Sequence, residues 1–358
     1  MNRTIGLDIV RAFAICLVLL CHFARERFDF IGIYGVELFF ALSGFLIGGI
    51  LYRRLTACDR WSFDEVKVFW LRRWWRTLPN YFLFLVLSIV FHHYSGGLPH
   101  FLGVLPYFFF AQNLVTVNTG FFPVSWSLCV EEYFYLFFPL CILLFTSLRF
   151  SRRIAFIFAT LLFLVIPPIL REILFATVDP TFIRLMTIPR LDAIFYGVVT
   201  SFLLARHRIS QSHRVALLIV ACVGLAVLFV LQRHCEQNHS LVPFYRAAFL
   251  GLPIFFSLLL PFFASIQQLP GKYRLLTRVI TNLSLWSYSI YLSHLPIMFI
   301  TYSAFGDAKK YAVVKLISKF IGLAVCLVVS RFVYRRFESR LILLRPDEPH
   351  QQKQVAQS

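Results

Sequence analysis

Long apolar runs alternate with short polar segments along this chain. Ten runs are long enough to cross a bilayer as helices: about 5–24, 35–52, 77–94, 125–146, 154–170, 190–205, 214–231, 245–264, 281–302 and 312–334. The stretch 99–116 is also apolar, but Pro106 interrupts it and Gln112-Asn113 follow. It reads as a short helix at the outer interface, with an eleventh span as the alternative. The pattern predicts an all-α, polytopic integral membrane protein of about ten transmembrane helices. One embedded domain is expected over 1–340, followed by a polar tail over 341–358 expected to be disordered. No soluble domain is expected at either end, and no internal repeat of the transporter kind is visible.

Polar side chains inside these runs are the first pointers to chemistry. The first run holds Arg11 and His22, eleven residues apart. Eleven residues make three helical turns plus about 20°, so both leave the helix on one face, about 16 Å apart along the axis. A guanidinium inside a span costs several kcal/mol unless it is paired or lines a polar cavity. The alternative for Arg11 is snorkelling to the surface beside Asp8.

Composition narrows the class. The 358 residues are 59% hydrophobic and 15% charged, with a mean hydropathy of +0.74, which no soluble domain matches. The net charge of +18 comes from short clusters between apolar runs, a membrane-topology pattern and not a nucleic-acid groove. With the N-terminus inside, 22 Lys and Arg fall on the inner side and 9 on the outer. That excess predicts both termini in the cytoplasm. The eight cysteines are scattered without a CxxC pair, so neither a disulfide framework nor a metal site is expected.

On that topology His22 lies near the outer end of the first span. The fourth span enters from outside with Ser125-Trp126-Ser127-Leu128-Cys129-Val130-Glu131-Glu132, placing its carboxylates at a similar depth. Adjacent residues point about 100° apart, and Glu131 shares its face with Ser127 and Tyr135. A histidine and a carboxylate at one depth make a general base and its orienting group; a pair that only holds helices together is the alternative. Arg73 and Arg76, in the basic inner segment 53–76, share a helical face and suit phosphate recognition, or contact with anionic lipid. Small residues around Ser43 and Gly44 suit a cavity wall or close helix approach. Arg190 and Asp192 flank the sixth span, and Tyr291 and His294 lie inside the ninth.

In order along the chain, these segments resemble the signatures of the acyltransferase 3 family of membrane O-acyltransferases, which includes O-antigen acetylases and Nod-factor acetyltransferases. The resemblance rests on Arg11 with His22, on Glu37-Leu38-Phe39-Phe40-Ala41-Leu42-Ser43-Gly44, and on Arg73 with Arg76. It continues in Ser125-Trp126-Ser127-Leu128 with Glu131-Glu132 and Phe134-Tyr135-Leu136, then Arg190-Leu191-Asp192 and Tyr291-Leu292-Ser293-His294-Leu295-Pro296. Two departures stand out: Glu37 where Asp is usual, and Glu338-Ser339-Arg340 where the family has Glu-x-Pro. Members that carry an appended hydrolase-like domain suggest a two-stage relay, which is not expected within this chain.

The resemblance implies transfer of an acyl group, acetyl by default, from cytoplasmic acyl-coenzyme A as co-substrate to a hydroxyl of a carbohydrate or glycolipid, at the cell inner membrane. Arg11, Arg73 and Arg76 would bind the donor. His22, Glu131 and Glu132 would be catalytic, with Ser43, Trp126, Ser127, Arg190, Asp192, Tyr291 and His294 around the substrate. Direct transfer and an acyl-histidine relay both remain open. A transporter or flippase of a lipid-linked saccharide is the reading from another class, since it too would bury charges within spans.

Overall fold

The computed structural model describes residues 4–24, 28–97, 100–114, 117, 120–306 and 311–346. The expected tail falls mostly outside these residues. Within them a short helix covers Ser339–Ile342, and Arg72 donates to the Pro346 carbonyl at 2.5 Å. Among the described residues there is no strand, and ten helical segments are long and apolar enough to span a membrane.

The helices are α1 (Ile5–Phe23), α2 (Gly32–Ala57), α3 (Phe63–Tyr94), α4 (Phe101–Phe108), α5 (Ser125–Ser147), α6 (Arg152–Leu174) and α7 (Pro180–Leu185). They continue with α8 (Asp192–Arg206), α9 (Gln211–Gln237), α10 (Val242–Ser265), α11 (Arg274–Ala304), α12 (Ala312–Val333) and α13 (Ser339–Ile342). A 3-10 turn over Ile188–Arg190 leads into α8, and a π-helical turn over Tyr334–Glu338 joins α12 to α13. Helix α4 is eight residues long, about 12 Å of rise. It is too short to cross the hydrocarbon, so among the described residues it adds no eleventh span.

The greatest extension beyond an apolar run is in α3. It starts at Phe63 and not near 77, so Lys67, Arg72, Arg73 and Arg76 are helical residues and not loop residues. Asp64 and Glu65 occupy its first turn, where acidic groups complement the helix dipole. Trp70 stacks on Trp74 at 5.7 Å and donates its indole N–H to the Tyr135 carbonyl at 3.0 Å. The aromatic stripe thus packs on α5, while Arg73 and Arg76 line a cavity between the helices.

Helix α11 packs on α1, α3 and α12, and α2 packs on α1, α8 and α10. The α2–α8 contact is backbone to backbone. A Cβ on Gly44 would lie 1.8 Å from the Ile194 carbonyl oxygen, and one on Gly197 would lie 2.1 Å from that of Ala41. Glycine here permits van der Waals packing that lipid-facing surfaces do not offer. Phe134, Phe138, Phe163 and Phe195 fill the neighbouring space, with Phe163 and Phe195 stacked at 4.6 Å. The outer faces of α9 and α12 expose Val223, Val227, Val230, Phe320, Val328 and Phe332, side chains at home against acyl tails.

Candidate active site

One face of helix α11 carries a run of polar side chains. Ser284, Ser287, Tyr288, Tyr291 and His294 recur at helical spacing along it, forming a polar column about 15 Å long. Two cavities open onto this column from opposite ends of the bundle.

The first cavity has a volume of about 420 Å³ and lies toward the end where α1 begins. Asp8 and Arg11 from α1, Ser43 from α2, Arg73 and Arg76 from α3, and Ser127 and Glu131 from α5 all line it, facing Ser284, Tyr288 and Tyr291. Ser284 donates to Asp8 at 2.7 Å and accepts from Arg11 at 3.2 Å. Arg11 Nη1 lies 3.7 Å from the Asp8 carboxylate. Arg11 is therefore held by a carboxylate and a hydroxyl at the cavity wall. The buried Nε of Arg73 has no hydrogen-bond partner among the described residues.

Glu131 and Glu132 diverge as the helical rotation requires. Tyr135 donates to Glu131 at 3.0 Å and accepts from Ser43 at 3.1 Å, all three lining the cavity. Glu132 turns away and accepts from Thr77 at 2.8 Å. We therefore expect Glu131→Gln to lower turnover far more than Glu132→Gln in purified, correctly inserted protein. An equal or greater loss in Glu132→Gln would contradict this assignment of the two faces.

The second cavity, about 770 Å³, lies toward the opposite end. His22, His294, Trp126 and Arg184 line it, with Gln232, Arg233 and Glu236 from α9. The two imidazoles meet edge to face, ring centroids 4.8 Å apart. His22 Nδ1 lies 2.8 Å from the Val18 carbonyl and His294 Nδ1 lies 2.7 Å from that of Tyr291. A carbonyl only accepts, so each neutral ring carries its proton on Nδ1 and presents Nε2 as a lone pair. Val36 and Tyr291 line both cavities, and the Tyr291 hydroxyl is 2.6 Å from that of Ser127.

Sequence spacing placed His22 and Glu131 at one depth as partners. In the fold they line different cavities, with Tyr291 common to both, and His22 is oriented by Val18 and His294. Arg190 and Asp192, expected beside the substrate, line neither cavity. Arg190 is fully buried, ion-paired with Glu37 and stacked 4.3 Å over the Phe249 ring. Asp192 receives a two-pronged contact from Arg171 at 2.5 and 2.7 Å. Four charges of zero sum thus join α2, α6 and the start of α8, because buried charges require partners.

Residue patterns missed several polar groups. Glu338, in the π-helical turn, lines the first cavity and accepts from Ser289 at 2.6 Å and from Asn80 at 3.0 Å. Its place in a Glu-x-Pro-like segment was the available signal. Ser284 and Tyr288 were signalled by the polar face of α11. Arg184 and Gln232 sit near helix ends, where polar residues are too common to stand out.

The profile of the acyltransferase 3 family, an acyltransferase domain, matches residues 4–334. The O-acetyltransferase OatA of Staphylococcus aureus (strain NCTC 8325) is 25% identical over 346 residues, covering 92% of this chain and 56% of the relative. The peptidoglycan O-acetyltransferase OatA of Listeria monocytogenes is 30% identical over 156 residues, covering 39% of this chain and 24% of the relative. The chain therefore spans about half the length of the curated relatives that it matches along most of its own. No solved structure is significantly similar to it. With the profile running from the start of α1 to the end of α12, and the polar column inside that range, the chain belongs to the acyltransferase 3 family.

Proposed function

We propose that the protein transfers an acyl group, acetyl by default, from acyl-coenzyme A to a hydroxyl of a carbohydrate or glycolipid. The reading places it in the cell inner membrane with both termini cytoplasmic, so that donor and acceptor enter from opposite faces. One observation carries this: an arginine-lined cavity and a histidine-lined cavity approach from opposite ends and share the Tyr291 and Val36 wall. The relatives named O-acetyltransferases support the choice of acetyl and of a hydroxyl acceptor.

In this reading Arg73 and Arg76 hold the donor's phosphates at the inner cavity, with the pantetheine arm reaching past Arg11 toward Tyr291. His22 Nε2 takes the proton from the acceptor hydroxyl as its oxygen attacks the thioester carbon. The Tyr291 and Ser127 hydroxyls lie where a donor hydrogen bond would meet the developing oxyanion. The C–S bond breaks, and the thiolate leaves into the cavity carrying the arginines. Glu131 holds Tyr135 and, through it, Ser43 along the donor path. The test is thiol release by purified protein: it should require both acyl-coenzyme A and a saccharide acceptor, with acylated saccharide formed in equal amount.

Donor docking makes a separate forecast. Arg73→Lys and Arg76→Lys should each weaken donor affinity about 10- to 100-fold, because an ammonium lacks the guanidinium's forked contact with phosphate. The apparent constant for the acceptor should barely change. Donor titration in nanodiscs checks this, and unchanged donor affinity in both variants would reassign the two arginines to contact with anionic lipid.

A further inference from the structure

Three buried polar atoms in the histidine-lined cavity have no hydrogen-bond partner among the described residues: His294 Nε2, Gln232 Oε1 and Arg184 Nε. Each orphan follows from how the rest of its side chain is held. His294 is 1% exposed and spends Nδ1 on the Tyr291 carbonyl, leaving a lone pair. Gln232 is 5% exposed, and its amide nitrogen donates to the Phe30 carbonyl at 2.8 Å and to Glu236 at 3.1 Å. Those two acceptors fix the amide orientation and leave its oxygen without a partner among the described residues, on a side chain that lines the cavity. The Arg184 guanidinium lies 5.7 Å over the Trp126 ring. Buried groups of this kind are costly to leave unpaired, and three around one cavity indicate a ligand of matching pattern.

The charge balance adds the sign. Arg233 and Glu236 cancel each other in an ion pair at 2.6 Å. Arg184 has no ion pair among the described residues, which leaves one uncancelled cation beside the unpartnered acceptors of His294 and Gln232. We propose that the acceptor is an acidic saccharide. Its hydroxyls donate to His294 and Gln232, and an anionic oxygen near the reacting hydroxyl accepts from Arg184. Arg184 and Gln232 are then specificity-determining residues. The inference rests on the reading of this cavity as the acceptor site.

The anion's source, a carboxylate or a phosphate, is separable by experiment. Equilibrium binding to protein in nanodiscs, without acyl donor, should be measured for methyl glucuronide, glucose 6-phosphate and methyl glucoside. The wild type should bind at least one charged sugar about 10- to 100-fold more tightly than the neutral one, and the tighter of the two identifies the anion. Arg184→Gln should erase that preference, weakening binding of the charged sugar far more than that of the glucoside; Arg184→Lys should keep part of it. Equal affinity of the wild type for charged and neutral sugars would overturn the proposal, whether or not any variant folds. A preference that survives Arg184→Gln would overturn the role of Arg184. Thiol release from acyl-coenzyme A, measured in parallel, separates this outcome from failure of the acyl-transfer reading, because binding is scored without turnover.

Discussion

His22→Ala is expected to lower acyl transfer by about 10²- to 10⁴-fold, the usual effect of removing a general base. Insertion and expression should stay near wild type. The ring lies at the end of α1, half-buried against His294. His22 Nε2 is the basic atom because Val18 holds Nδ1. His22→Gln, which keeps a polar side chain of similar reach, should therefore not restore turnover. The measurement is thiol release at saturating donor and acceptor, with donor affinity determined separately. Donor affinity should be unchanged, since the arginines line the other cavity. A correctly inserted His22→Ala protein that keeps most of its activity would remove His22 from the chemistry.

Glu37→Leu should destabilise the fold by about 3–5 kcal/mol, the range found when one member of a buried ion pair is removed. Arg190 and Glu37 are both fully buried, and loss of Glu37 leaves a guanidinium among Phe249 and neighbouring apolar groups. The double change Glu37→Leu with Arg190→Met should recover much of that loss, because it removes both desolvated charges together. Unfolding in detergent, followed by tryptophan fluorescence, reads both variants. A Glu37→Leu protein as stable as wild type would show that the Arg171–Asp192 pair takes over the charge of Arg190.

The fold was legible because the bilayer imposes its own length scale: a chain that crosses it must show long apolar runs. The N-terminal part of α3 was not legible, because Arg72, Arg73 and Arg76 break the apolar run while the helix continues outside the hydrocarbon. Much of the candidate site was readable as well. Arg11, Arg73, Arg76, Ser43, Ser127, Glu131 and Tyr291 do line one cavity, since polar groups within spans must converge. The same logic could not distinguish a cavity from a sealed ion-pair cluster. Arg190 and Asp192 satisfied it through Glu37 and Arg171, partners distant in sequence. Depth along a helix also says nothing of what lies between two side chains at similar levels, so the common wall at Tyr291 was invisible.

That wall has an electrical consequence. A membrane that sustains a voltage applies about 2.3 kcal/mol per 100 mV to each elementary charge moved across it. In the proposed reaction coenzyme A and its phosphates never pass Tyr291, and the acyl group crosses without the C–S electron pair, which stays behind on the thiolate. The proton released at His22 originates on the acceptor's own side. Each turnover therefore leaves one negative charge on the donor's side and one positive charge on the acceptor's, and a voltage negative on the donor's side opposes the transfer in proportion to the share of the field that falls between the two cavities.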